Sequence, residues 1–146
     1  PYALLARQAL DLCHAFNARL IEHPAELLLA PRGADGVHMS SQLLMTPPRR
    51  PVSRDVLFSA SCHDAAQLSQ AQALDADFVT LSPVLRTRTH PDASPLGWDT
   101  FAALVSLTDT PVYALGGMER SHIAQARSAG AVGIAAIGSL WPGPRQ

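Results

Sequence analysis

The chain has 146 residues, of which 47% are hydrophobic and 16% charged, and its formal net charge is -1. This composition excludes a disordered chain and suffices for one domain, residues 1–146, with a hydrophobic core. No basic stretch is longer than Arg49-Arg50, so neither a nucleic acid nor a membrane surface is an expected partner. No signal peptide opens the chain, and no apolar run approaches the ~18 residues of a membrane span.

The predicted elements alternate between helix and strand almost without exception. In chain order they are helix 2–16, strand 18–23, helix 24–30, strand 33–39, loop 40–55, strand 56–63, helix 64–74, strand 77–81, helix 98–107, strand 110–117, helix 119–130, and a last strand with a tight turn in 131–141. Asp64 is a predicted N-cap and Gly130 a predicted C-cap. The long loop is predicted because prolines interrupt it.

The six predicted strands are near-continuous apolar runs, which is typical of parallel strands buried on both faces. A doubly wound sheet and a (β/α) barrel both fit this pattern. In either fold, ligands bind at the carboxyl ends of the strands. The polar segment 81–98 follows such an end, so we interpret it as a binding loop.

Two glycine-containing turns follow the last two strands. Gly116-Gly117 precedes a helix, and Ile137, Gly138 and Ser139 repeat the arrangement one strand later. Backbone amides freed at such turns bind phosphate, and a pair of them on neighbouring strands is the phosphate site of many barrels. The alternative is that the glycines only permit tight turns with positive φ.

Other polar residues that could contact a ligand follow the third and fourth strands. Thr87 and Thr89 with Arg86 and Arg88 suit an anion, and His90 titrates near neutral pH; a solvated loop is the alternative. Ser61 and His63 share one face of their strand, with Cys62 opposite as a small core residue. His38 is interpreted as a core histidine. The two cysteines, Cys13 and Cys62, have no metal-ligand spacing, which favours a reducing cytoplasm.

An ordered series of motifs resembles thiamine phosphate synthase and its relative TenI. The motifs are GADGVHM (33–39), SASCHD (59–64), DFVTLSPVLRTRTHPD (77–92), LGW (96–98), PVYALGGM (111–118) and AGAVGIAAIGSLW (129–141). The resemblance implies a TIM-type barrel whose first two strands precede Pro1. It also implies a thiazole phosphate ligand, held by Thr87, Arg88, Thr89, Gly117, Ile137 and Gly138, with Ser61 on the pyrimidine side.

The pyrophosphate side of the family matches this chain poorly. The synthase transfers a pyrimidine group onto thiazole phosphate, and the leaving pyrophosphate needs Mg²⁺. The resemblance places the metal carboxylates at His23 and near Leu43, and a lysine at His90. Glu22 is the remaining metal-ligand candidate. We therefore expect a degraded Mg²⁺ site.

Alternative functions stay open at this point. TenI-like proteins include thiazole tautomerases, but the tautomerase histidine falls close to Ser82, which leaves His90 as a candidate base. A non-catalytic domain that binds a phosphorylated thiazole is the third hypothesis. The motif sequences also resemble TenI-type domains that are fused to the C-terminus of a Nudix hydrolase. A chain that begins inside a helical pattern is consistent with such a fusion and equally with a simple truncation. A homodimer is a further expectation.

Overall fold

Six parallel strands form one sheet whose order in space follows the order of the chain. The computed structural model describes residues 2–23, 33–47, 49–87 and 93–140. The strands are β1 (Ile21–Glu22), β2 (Gly36–Met39), β3 (Leu57–Cys62), β4 (Phe78–Leu81), β5 (Val112–Leu115) and β6 (Gly133–Ala135). The helices are α1 (Tyr2–Ala15), α2 (Ser41–Leu44), α3 (Ala65–Ala73), α4 (Gly97–Val105) and α5 (Ile123–Ser128), the last preceded by a 3₁₀ turn (Arg120–His122).

The strand order distinguishes the two predicted fold classes. A doubly wound sheet reverses its order at a switch point, whereas neighbouring strands here always follow one another along the chain. The sheet is therefore of the curled (β/α)-barrel type, with six strands where a closed barrel has eight. The prediction of a barrel with parallel strands is confirmed.

Several predicted boundaries differ from the structure. The 40–55 loop contains the short helix α2, which starts because the Ser40 hydroxyl accepts a hydrogen bond from the Leu43 amide at 3.3 Å. The predicted strand 18–23 shortens to β1, and the predicted helix 119–130 divides into the 3₁₀ turn and α5. Asp64 caps α3 as predicted, and Gly130 ends the α5 segment with φ +93°. The helix predicted at 24–30 lies outside the described residues.

One face of the sheet packs against the helices and forms the hydrophobic core. Successive side chains of a strand point to opposite faces, and register partners in parallel strands share a face. The helix-facing residues of β2 to β5 are all buried: Val37, Met39, Phe58, Ala60, Cys62, Val79, Leu81, Val112 and Ala114. Leu68 of α3, Phe101 of α4 and Ala126 of α5 complete this core.

The second face of the sheet is more polar than the apolar sequences of the strands led us to predict. It carries His38, Ser59, Ser61, Thr80 and Tyr113, which the register places side by side. Ser59 and Thr80 are buried, whereas the other three are half-buried. The prediction that both faces are fully buried is therefore wrong for this face, because alternate residues of β3 are serines rather than apolar residues.

Charged side chains hold the strands together at their amino-terminal ends. The Asp77 carboxylate accepts hydrogen bonds from the Arg50 guanidinium at 2.8 Å and from the Phe58 amide at 2.7 Å. The guanidinium also lies 5.5 Å from the centre of the Phe58 ring. These contacts fix β3 against β4 at the end of the sheet opposite to the polar loops, which keeps the carboxyl ends in register.

Helix α1 is connected to the segment before β2 by a side-chain hydrogen bond rather than by a buried face. None of its residues is buried, and Leu4, Leu5 and Leu12 are largely exposed. His14 lies 3.0 Å from the Asp35 carboxylate, which also accepts the Leu20 amide at 2.8 Å. The backbone hydrogen bond from Leu20 is the main cause that lowers the pKa of Asp35. None of the described helices is long and apolar enough to cross a membrane.

Candidate functional site

Three turns meet at the carboxyl ends of β4, β5 and β6, and we call residues 82–87, 116–118 and 137–139 the β4–β6 rim. The Val84 amide donates to the Leu115 carbonyl at 2.9 Å, and the Leu85 amide donates to the Gly116 carbonyl at 3.1 Å. The Ser139 hydroxyl donates to the Met118 carbonyl. These bonds connect the three turns, so the two glycine turns lie at one end of the sheet beside the loop that contains Thr87.

The two glycines after β5 are required by the backbone of the β4–β6 rim. Gly116 and Gly117 have φ of +98° and +67°. A Cβ on Gly116 would lie 2.7 Å from Pro83 Cα, and a Cβ on Gly117 would lie 2.7 Å from the Arg86 carbonyl oxygen. The turn interpretation of these glycines is confirmed, because only glycine combines positive φ with so close an approach of two chains.

The turn after β6 is open where the turn after β5 is crowded. A Cβ on Gly138 would meet no atom within 4 Å, and its φ is not among the positive values. Ile137 is 84% exposed. Residues 139–140 form a turn, and no helix begins there before residue 140. Gly138 thus leaves space beside the crowded Gly116-Gly117 turn.

The loop after β4 is described only as far as Thr87, which has a partner within the molecule. Arg88, Thr89 and His90, which the sequence analysis named as ligand contacts, lie outside the described residues. The backbone of the loop is held by further bonds, since the Leu96 amide donates to the Pro83 carbonyl at 2.9 Å and the Gly97 amide to the Val84 carbonyl at 3.0 Å. Both ends of the predicted binding loop are therefore anchored at the β4–β6 rim.

Ser61 lies on the second face of the sheet and contacts His38. His38 Nε2 is 2.8 Å from the Ser61 hydroxyl, and His38 Nδ1 is 2.8 Å from the Ser59 hydroxyl. Burial, followed by the charge of nearby His23, lowers the pKa of His38. His38 is satisfied by hydrogen bonds as predicted, but it lies on the polar face and not in the helix-facing core.

His63 reaches the end of the neighbouring strand β4. Its Nδ1 lies 2.9 Å from the Ser82 carbonyl oxygen and 3.3 Å from the Ser82 hydroxyl. Because a carbonyl only accepts, Nδ1 carries the hydrogen and the lone pair of the neutral ring is on Nε2. A histidine ring therefore lies at the strand end where the resemblance places a tautomerase histidine.

Cys62 lies in the hydrophobic core, on the side of the sheet opposite to the polar face. Its side chain is fully buried on the helix-facing side, and burial, with the nearby Asp64 charge as a second cause, raises the pKa of its thiol to about 12. A thiol with this pKa is not ionised near neutral pH, so it is not a nucleophile. The interpretation of Cys62 as a core residue is confirmed.

The carboxyl ends of β1 and β2, which we call the β1–β2 rim (residues 22–23 and 40–43), lack a cluster of acids. Glu22 pairs in register with buried Val37, so its side chain is on the helix-facing side, and its Oε1 is buried with no hydrogen-bond partner among the described residues. Leu43 packs against the hydrophobic core. Within the described ranges, no three His, Cys, Asp or Glu side chains could hold a metal ion. These residues do not fit a Mg²⁺ site.

Sequence reasoning missed the partners of Ser61. Ser59 was not singled out, although Ser59 and Ser61 are two positions apart and so share a face of the strand. Thr80, which pairs in register with Ser61, was also missed; its hydroxyl is buried without a partner in the described structure. The alternation of serines in β3 was the signal that could have found this polar row.

The fold and the site together define a class: (β/α)-barrel proteins with polar turns at the carboxyl ends of the strands. Comparison with known proteins makes this class specific. The family model for thiamine monophosphate synthase matches residues 2–140. The chain belongs to the thiamine monophosphate synthase family, so the resemblance found in the sequence motifs is confirmed.

Individual relatives support the assignment. A thiamine-phosphate synthase of Methylobacillus flagellatus is 35% identical over 134 residues, which cover 90% of this chain and 64% of that protein. A thiamine-phosphate synthase of Synechococcus sp. (strain WH7803) is 32% identical over 136 residues, 92% of this chain and 38% of that protein. This chain therefore spans only part of the length of these relatives.

Solved structures match the fold. The thiamine phosphate pyrophosphorylase from Pyrococcus furiosus superposes with a TM-score of 0.70 at 20% identity, covering 92% of this chain and 64% of that one. A native KDPGal structure gives a TM-score of 0.63 at 19% identity, covering 93% and 66%. At these identities the likeness concerns the fold, and it agrees with a barrel-type arrangement of the strands.

Proposed function

We propose that this domain binds a thiazole phosphate at the β4–β6 rim and does not carry out metal-dependent transfer of a pyrimidine group. The observation that carries the proposal is the contrast between Gly117 and Gly138. The first is in a crowded turn, and the second faces open space in the turn after the neighbouring strand. A phosphate beside Gly138 would accept hydrogen bonds from backbone amides of both turns.

Backbone amides suit a phosphate because they are fixed before the ligand arrives. The bonds from Val84, Leu85 and Ser139 hold the three turns in place. Donors that are already oriented lose little conformational entropy on binding. In the proposal, Gly116, Gly117, Ile137, Gly138 and Ser139 surround the phosphate.

The loop after β4 would supply the remaining contacts. Thr87 and Thr89 carry hydroxyl groups that can donate to phosphate oxygens, and Arg88 adds a positive charge. Ser61 would face the organic part of a ligand from the second face of the sheet. His90 would lie beyond the threonines as a further cation when protonated.

The proposed absence of transfer rests on the β1–β2 rim. A leaving pyrophosphate carries several negative charges, which Mg²⁺ neutralises when carboxylate oxygens hold the ion. At the position where the resemblance places a metal carboxylate, this rim has His23, whose charge is one of the causes that lower the pKa of His38. Glu22 alone, on the other side of the strand, is a poor substitute for a carboxylate pair.

Proton transfer on a bound thiazole is a second candidate function, which the position of His63 favours. In the neutral form of the ring its Nε2 carries the lone pair, because Nδ1 donates to the Ser82 carbonyl. A neutral imidazole at the end of β4 could take a proton from a ring held at the β4–β6 rim. His63→Gln should then abolish tautomerisation without weakening binding of the thiazole phosphate, and an unchanged rate would remove this candidate.

Calorimetry can test the proposed ligand directly. The complete natural protein is titrated with thiazole phosphate and, separately, with the same thiazole bearing a free hydroxyl in place of the phosphate. We expect the phosphate to bind at least about tenfold more tightly, because only it can use the amides of both turns. Equal affinity for the two compounds, or no heat with either, would reject the proposal.

A further inference from the structure

Three polar side chains on the second face of the sheet form a continuous hydrogen-bonded row. His38 of β2 lies between Ser59 and Ser61 of β3, with 2.8 Å from Nδ1 to the Ser59 hydroxyl and 2.8 Å from Nε2 to the Ser61 hydroxyl. Ser59 is fully buried. Both ring nitrogens are therefore hydrogen-bonded to serine hydroxyls. The positions of the hydrogens determine whether Ser61 donates a hydrogen bond to a ligand or accepts one.

The surroundings of Ser59 favour one direction for these bonds. Its hydroxyl is 3.4 Å from the Val37 carbonyl oxygen, a group that only accepts, so the Ser59 hydrogen has an acceptor other than His38 Nδ1. When Ser59 donates to Val37, it accepts a hydrogen from His38 Nδ1. Since a neutral imidazole carries one N–H, Nε2 has the lone pair and accepts the hydrogen of Ser61.

Nε2 has a lone pair only when the His38 ring is neutral, and the environment of the ring favours this form. The ring is half-buried, and burial disfavours its charged form. The charge of His23 acts in the same direction. The described neighbours of the ring on β3 are uncharged serines, so no carboxylate there opposes these effects.

We infer that Ser59 is a positioning residue that holds His38 in the Nδ1–H tautomer and thereby directs the Ser61 hydrogen towards His38 and not towards a ligand. The Ser61 hydroxyl oxygen then accepts a hydrogen bond from a ligand and does not donate one. The group of the ligand that contacts Ser61 must consequently be a donor, such as a ring amino group. This last consequence rests on the proposed function, whereas the tautomer of the free protein does not.

Nitrogen NMR of the free protein reads the tautomer. The complete natural protein is labelled with ¹⁵N on its histidine rings, and the His38 signals are assigned by their loss in His38→Gln. We expect Nδ1 to be protonated and Nε2 to be unprotonated at neutral pH. A protonated Nε2, whether in the other tautomer or in a charged ring, would overturn the inference before any serine variant is made.

Serine variants separate positioning from packing. In Ser59→Ala, Nδ1 loses its acceptor, so the proton should move to Nε2 and donate to Ser61; Ser59→Thr, which keeps a hydroxyl, should retain the original tautomer. Ser106→Ala, which removes an exposed hydroxyl on the far side of the sheet, is the matched control and should change nothing. An unchanged tautomer in a folded Ser59→Ala protein would contradict the role of Ser59.

This test is independent of thiazole phosphate. A failure of the ligand to bind would reject the proposed function and leave the tautomer result standing. A wrong tautomer would reject the role of Ser59 and leave the proposed function standing.

Discussion

The two edges of the curled sheet, β1–β2 and β4–β6, differ in the residues that lie at the carboxyl ends of their strands. At the β4–β6 rim, three turns are connected by hydrogen bonds, and Gly138 leaves an open space beside crowded glycines. At the β1–β2 rim, Leu43 packs into the core and Glu22 turns to the helix-facing side. Under the proposed function, this difference means that a barrel scaffold can bind an anion at one rim while the described residues of the other rim lack groups that would hold a metal ion.

The largest expected effect is on synthase turnover. With Mg²⁺, thiazole phosphate and a pyrimidine pyrophosphate, the complete natural protein should form product at least on the order of 10² more slowly than an active synthase. Each missing electrostatic contact to the leaving group is typically worth ~3 kcal/mol, or about 10² in rate, and the β1–β2 rim lacks at least two; because such losses are not additive, the effect of one contact is the lower bound. Product formation is followed by chromatography, with an active synthase measured in parallel.

Turnover within about tenfold of that active synthase would contradict the claim that the β1–β2 rim lacks the groups for Mg²⁺. Glu22 would then be the metal-ligand candidate, and Glu22→Ala should abolish that activity.

A large stability effect is expected at the crowded turn of the β4–β6 rim. Gly117→Val should lower the free energy of unfolding by roughly 3 kcal/mol or more, because φ is +67° and a Cβ would lie 2.7 Å from the Arg86 carbonyl oxygen. Gly138→Val is the matched control, since its Cβ meets no atom within 4 Å. It should cost less than about 1 kcal/mol in urea unfolding. Equal losses in the two variants would contradict this account of the rim.

Gly138→Val, which should have little effect on stability, should have a large effect on ligand binding. Gly138→Val should weaken thiazole phosphate binding at least about tenfold in calorimetry, because the side chain occupies the space proposed for the phosphate. Ala103→Val, which adds the same kind of bulk at an exposed position late in α4, should leave the affinity unchanged. Undiminished binding in a folded Gly138→Val protein would place the ligand elsewhere.

Some of this picture follows from the sequence, and some requires the structure. Alternating elements predict a parallel sheet with its polar turns at the carboxyl ends of the strands, because local chain chemistry determines both, whereas the barrel was implied by the ordered motifs that resemble the family. The contact of His38 with Ser59 and Ser61 spans 21 and 23 residues, so it depends on the register of two strands, which a single sequence does not encode locally. Helix α2 was missed because the prolines that follow it outweighed the N-cap Ser40.

The smallest expected effect concerns pH and His38 of β2. Burial lowers the pKa of His38 from 6.5, so as the pH falls through that value the unfolded chain takes up a proton that the folded protein resists. The contribution of His38 to stability is therefore fully present above pH 6.5 and is lost on acidification. The difference in unfolding free energy between the wild type and His38→Gln should shrink as the pH is lowered. A difference that grows on acidification would mean that the folded pKa is raised.

The central claim is that an anion binds at the β4–β6 rim without a metal. A crystal of the complete natural protein, soaked with thiazole phosphate in the presence of a chelator, tests it most directly. The account predicts density for the phosphate within hydrogen-bond distance of the Gly117 and Gly138 amides. Density at the β1–β2 rim, or density that appears only when Mg²⁺ is supplied, would contradict it.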